Sequence, residues 1–74
     1  MLNAEQMIEL LNRCLKMNLD TKSTPVDVKF STLGIDSMDF FNVLIELENI
    51  TEKKIPDSDV DNLTTIKELV DYFA

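Results

Sequence analysis

The sequence predicts an all-α protein, a small bundle of three main helices with one short helix before the last. Two observations carry that expectation. Three stretches place apolar residues at helical spacing, each behind a residue suited to cap a helix. One Gly and two Pro in 74 residues are too few to punctuate many short strands. A 45% hydrophobic content is ordinary for a folded globule, and the length fits one small domain over residues 1–74 with a modest core.

The first helix is expected over residues 4–17. Asn3 can cap it, and Gln6 three residues later completes a capping-box pattern. Ile8, Leu11 and Leu15 form a stripe that Met7, Leu10 and Cys14 widen. Cys14 then packs at the edge of the core, with no basic group arranged to activate its thiol.

Residues 18–33 read as a long connection. Pro25 interrupts any helix there. Val26-Asp27-Val28-Lys29-Phe30 alternates like a short strand, but no partner strand is visible. A structureless loop of this length is unusual in a small domain, so an ordered loop is expected, pinned by Leu19, Phe30 and Leu33.

The second helix is expected over residues 37–49. Gly34 gives a permissive turn, Asp36 can cap the helix, and Asp39 lies in the first turn where the dipole favours an anion. Phe40, Val43, Leu44 and Leu47 share one face, which suffices for a core. Met38, Phe41 and Ile45 make a second apolar stripe. So short a domain has little room to bury a helix on all sides, so this second face is assigned to a partner. Residues 31–52 contain no Lys or Arg, whereas Asp36, Asp39, Glu46, Glu48 and Glu52 all fall there. Such a helix is one-signed as well as apolar.

Lys53 and Lys54 follow near the helix C-terminus. Ile55-Pro56 leads to a short helical segment over residues 57–62, anchored by Val60 and Leu63. Thr65 caps the last helix, with Glu68 completing a second box pattern. Ile66, Leu69, Val70 and Phe73 face inward and Tyr72 sits at the margin.

Several classes of chemistry are excluded by composition. There is no His, so Ser-His and Cys-His pairs are absent, and Cys14 alone can form no internal disulfide. Metal-ligand clusters and glycine-rich phosphate loops are missing. The chain is therefore not expected to be an enzyme. Its net charge of −7 disfavours nucleic acid and anionic lipid and favours partners with basic patches, besides aiding solubility. No signal-peptide pattern or membrane-length apolar run is present, so a cytoplasmic setting is expected.

Ser37 is the one residue with a chemical opportunity. It stands in the first turn of a helix, where free backbone N–H groups and the dipole would favour an attached phosphate. A plain helix start has the same residue pattern.

Leu33-Gly34-Ile35-Asp36-Ser37-Met38-Asp39 resembles the L-G-x-D-S-[LM] motif of acyl carrier proteins. The likeness continues through Leu44-Ile45-Glu46-Leu47-Glu48, Ile55-Pro56-Asp57 and Leu63-Thr64-Thr65-Ile66 to Val70-Asp71-Tyr72-Phe73. One short motif is weak; several segments in order at matching spacing are specific. The resemblance implies that Ser37 bears a 4′-phosphopantetheine arm, derived from coenzyme A, whose thiol carries acyl groups as thioesters. It implies a phosphopantetheinyl transferase, and acyl-loading, condensing or modifying enzymes with basic docking patches, as partners. It places their contacts on Asp36, Met38, Asp39, Phe41, Ile45 and Glu48. The interior near Phe40, Val43, Leu44 and Leu47 accepts an acyl chain in some members.

The chain departs from fatty-acid carriers at Phe40, Phe41, Asn42, Phe30 and Ile50-Thr51. These departures point to a specialised carrier, for instance in polyketide or other secondary metabolism, and Phe40 to a short or externally displayed cargo. Two alternatives stand beside this reading: an aminoacyl or peptidyl carrier, and an unmodified acidic helical interaction module.

Overall fold

In a computed structural model, residues 2–74 are described and form four α-helices: α1 (Ala4–Leu15), α2 (Ser37–Thr51), α3 (Asp57–Val60) and α4 (Ile66–Tyr72). The all-α expectation holds. α1 packs against both α2 and α4. Met7, Ile8, Leu11, Val43, Leu47, Ile66 and Leu69 are sealed between them, each at most 1% exposed. Phe30, Ile35, Ile55, Leu63 and Phe73 close the core at its margins. No polar side chain is buried among the described residues, so apolar burial and the backbone ladders hold the bundle together.

The caps explain the helix starts. Asn3 and Gln6 form the expected reciprocal box, at 2.8 and 2.9 Å. At α4, Thr65 accepts from the Glu68 N–H as expected, but Glu68 reaches past the cap residue. Its Oε1 accepts from the N–H and hydroxyl of Thr64, at 2.8 and 2.7 Å.

The helix ends depart from expectation for identifiable reasons. α1 stops at Leu15, two residues early, because Lys16 adopts the left-handed conformation (φ 54°). The Asn12 side chain then holds Leu19, donating to its carbonyl at 2.9 Å and accepting its N–H at 2.8 Å. α2 runs two residues further than expected, to Thr51, whose hydroxyl bonds back to the Leu47 carbonyl at 2.6 Å before Glu52 (φ 56°) ends the helix. α3 is shorter than expected, ending at Val60. Lys53 serves α4 rather than α2: its Nζ lies 4.7 Å from the Tyr72 ring centroid and donates to the Tyr72 carbonyl at 3.3 Å.

The connection before α2 holds the main surprise. Phe30–Leu33 is a 3₁₀ turn, which apolar spacing did not reveal. The strand-like run finds a partner after all, in a single antiparallel bridge between Lys29 and Thr65. The Phe30 N–H donates to the Thr64 carbonyl at 3.0 Å, and the Lys67 N–H to the Val26 carbonyl at 2.9 Å. Phe30 is buried as expected; Leu19 and Leu33 are half-buried.

Candidate functional site: the start of helix α2

The 3₁₀ turn delivers the chain to α2. Gly34 closes that turn at φ 83°, a left-handed conformation that a side chain resists. The Ile35 N–H returns to the Phe30 carbonyl at 3.0 Å, and the Ile35 side chain is buried. With Ile35 anchored, Asp36 and Ser37 are left outside. Asp36 caps α2, its Oδ1 accepting the Asp39 N–H at 2.8 Å. Ser37 is therefore the first helical residue and is exposed. The N–H groups of Ser37 and Met38 have no intrahelical acceptor, so the helix start offers two donors and its dipole to an anion.

Beside Ser37 lies a cleft of about 220 Å³, wide open to solvent, between the 3₁₀ turn and α2. Its floor is apolar: Ile35 and the rings of Phe30 and Phe40, inclined at 35° with centroids 4.9 Å apart. Lys29 and Thr64 stand at its edge, joined to one structure by the bridge to α4. Neither belonged to the sequence-derived set. The alternation through Val26 and Val28 was the signal for Lys29, and it needed a partner that lies far along the chain.

The second apolar stripe stays outside. Met38, Phe41 and Ile45 are 77%, 59% and 50% exposed. Asp36 is exposed, Asp39 and Glu48 half-buried. Glu48 also has an internal duty: its Oε2 accepts the Ile55 N–H at 2.8 Å, fixing the chain as it leaves α2. A smaller, more enclosed groove of about 140 Å³ runs between α2 and α3 beside Phe41 and Ile45. Both of these spaces fall below the roughly 300–1,000 Å³ of small-molecule pockets, whereas a larger one of about 480 Å³ lies at the far end of α2, lined by Leu2, Gln6, Ile50, Thr51 and Phe73. Ile50, 46% exposed, is a further apolar surface residue, made helical by the extension of α2.

Cys14 is half-buried at the rim of the core. Burial chiefly, and then the Glu46 charge, hold its thiol above the ordinary range, with Arg13 opposing. A thiol protonated in this way is a poor nucleophile. No group of three potential metal ligands occurs among the described residues, and no described helix is long and apolar enough to cross a membrane.

A family model described as the phosphopantetheine attachment site matches residues 5–73 of this chain. The chain belongs to the acyl carrier protein family. It is 36% identical over 60 residues to the acyl carrier protein of Chlorobium phaeobacteroides, spanning 80% of this chain and 77% of the relative. It is 33% identical over 58 residues to that of Phytoplasma australiense, spanning 77% and 76% of the two chains. Against the mitochondrial acyl carrier protein of Saccharomyces cerevisiae it is 36% identical over 58 residues, spanning 77% of this chain and 46% of the relative. Acyl carrier proteins bear phosphopantetheine as their cofactor and are carriers rather than catalysts.

Proposed function

We propose that this acyl carrier protein is modified at Ser37 and carries acyl groups between partner enzymes in fatty-acid-like or polyketide-type biosynthesis. The observation that supports the reading is the exposed Ser37 hydroxyl at the first position of a capped, 15-residue helix. The residues present fit the arm. The site is open, Ile35 anchors the backbone behind it, and the free N–H groups of Ser37 and Met38 suit a phosphodiester.

In the attachment step the Ser37 oxygen forms a bond to phosphorus in the diphosphate of coenzyme A. The P–O bond to the nucleotide breaks, 3′,5′-adenosine bisphosphate leaves, and the serine proton passes to the phosphopantetheinyl transferase. When bound, the arm supplies a thiol that holds acyl groups as thioesters. The chain's own residues orient and present: Asp36 fixes the helix start, and Met38, Phe41 and Ile45 offer an apolar strip with Asp36, Asp39 and Glu48 about it. That face suits enzymes whose docking patches are basic. The limited space beside Ser37, floored by Phe30, Ile35 and Phe40, favours a short cargo, or one displayed outside the bundle. A cytoplasmic, monomeric carrier that binds neither nucleic acid nor membrane accords with the net charge of −7.

Incubation with coenzyme A and a phosphopantetheinyl transferase is expected to add one arm by intact-protein mass, and Ser37→Ala to abolish the gain. Because Ser37 is exposed, that variant should unfold within about 0.5 kcal/mol of the parent. A mass gain that survives Ser37→Ala would place the arm elsewhere.

A further inference from the structure

We propose that the cleft beside Ser37 seats the first segment of the arm, its pantoyl unit, with Lys29 against the phosphodiester. This rests on attachment at Ser37. Three observations carry it, beginning with the tether. Ser37 itself lines the cleft, so anything bonded to its oxygen starts at the rim. A group tethered there has a high local concentration and needs little intrinsic affinity to settle in place.

The second observation is shape and polarity. One methylene beyond the phosphate, the arm has a quaternary carbon bearing two methyl groups, then a hydroxyl and an amide. The two methyls suit a floor of Phe30, Ile35 and Phe40; the hydroxyl and amide suit an edge carrying Ser31 and Thr64. At about 220 Å³ and open to solvent, the cleft is on the scale of a pantoyl unit, roughly seven water volumes, and gives a long acyl chain no enclosed room.

Charge is the third. Lys29 is the one basic residue lining the cleft, next to a stretch from 31 to 52 that contains no Lys or Arg. Asp36, which lines the cleft as well, and Asp39 would repel a phosphodiester, so its favourable neighbours are Lys29 and the free N–H groups of the helix start. Met38, Phe41 and Ile45 do not line the cleft, so a seated arm leaves the outward strip of α2 uncovered.

The test uses holo protein prepared with isotope-labelled coenzyme A, its single arm verified by mass. In isotope-filtered NMR the two pantoyl methyl signals should show contacts to the Phe30 and Phe40 ring protons. They should also lie upfield of their positions in the urea-denatured holo protein. Lys29→Gln, at an exposed position, should shift the ³¹P signal and reduce the upfield displacement; Phe40→Leu, with its fold verified by circular dichroism, should abolish most of it. Methyl signals at their denatured positions, or contacts to Met38, Phe41 or Val60 instead, would overturn the seat. Unchanged ³¹P and methyl signals in Lys29→Gln would remove Lys29 from it. A chain that gains no arm by mass would overturn attachment and seat together, and the mass alone separates that outcome from the others.

Discussion

Ser37 owes its exposure to its neighbours. Ile35 is buried, Gly34 takes a conformation that few residues accept, and Asp36 spends its carboxylate on the helix start. Added bulk at Gly34 would meet no atom within 4 Å, so the demand there is conformational and not steric. Asp36→Ala should cost roughly 0.5–2 kcal/mol in chemical denaturation, the usual range for a lost N-cap, and Asp36→Asn much less. Glu68 makes a pH-dependent contribution of the same local kind. Its bonds from the Thr64 hydroxyl and N–H hold its carboxyl below the usual glutamate range. A depressed native pKa means stability that is complete above the ordinary glutamate value and lost as pH falls through the lowered one. Glu68→Gln should therefore narrow the difference in denaturation midpoint between about pH 6 and pH 3. Asp20, also lowered by the Lys22 and Ser23 N–H groups, is present in both proteins and cancels from that comparison.

At the scale of the element, α2 divides its residues between two tasks. Leu47 is fully buried, while Ile45, two positions earlier, is 50% exposed. Leu47→Ala is expected to cost about 2–5 kcal/mol. That is a large share of the roughly 4–11 kcal/mol available to a domain of this length. Ile45→Ala should leave the denaturation midpoint nearly unchanged and weaken loading by partner enzymes, seen as a raised KM for the carrier. This division was legible from spacing alone, since the apolar period of Val43, Leu44 and Leu47 differs in face from that of Met38, Phe41 and Ile45. The ends of the helices were less legible. Lys16 and Glu52 take left-handed conformations without being glycine, and the Thr51 hydroxyl bond to Leu47 has no counterpart in apolar periodicity. Residues 18–33 were legible only as ordered. Their form depends on the Asn12 side chain holding Leu19, a polar contact that apolar spacing does not register, and on Thr64 accepting from Phe30, a contact between segments far apart in the chain.

Over the whole molecule, the radius of gyration is 11.1 Å, against about 11 Å expected for a folded chain of 74 residues. The connection before α2 is thus folded into the body and does not extend from it. The net charge of −7 acts at this scale too. Association with a partner whose patch is basic should slow by about tenfold or more between roughly 0.02 and 0.5 M salt, with a much smaller effect on dissociation; stopped-flow measurements would check this. At the candidate site, Ser37 and its cap could be placed from seven contiguous residues. The cleft beside it could not, because Lys29 and Thr64 reach it only through tertiary pairing.

That pairing has a kinetic side. Phe30 and Lys67 each donate a backbone N–H across the same seam, to Thr64 and Val26. Neither bond can be made until the two halves of the chain have met. Their amide hydrogens should then exchange with solvent as one cooperative unit, opening when α4 detaches from the connection. The loop that presents Ser37 would inherit its rigidity from the last helix of the chain, and a loosened C-terminus would be felt first at the other side of the bundle, where the hydroxyl is held out.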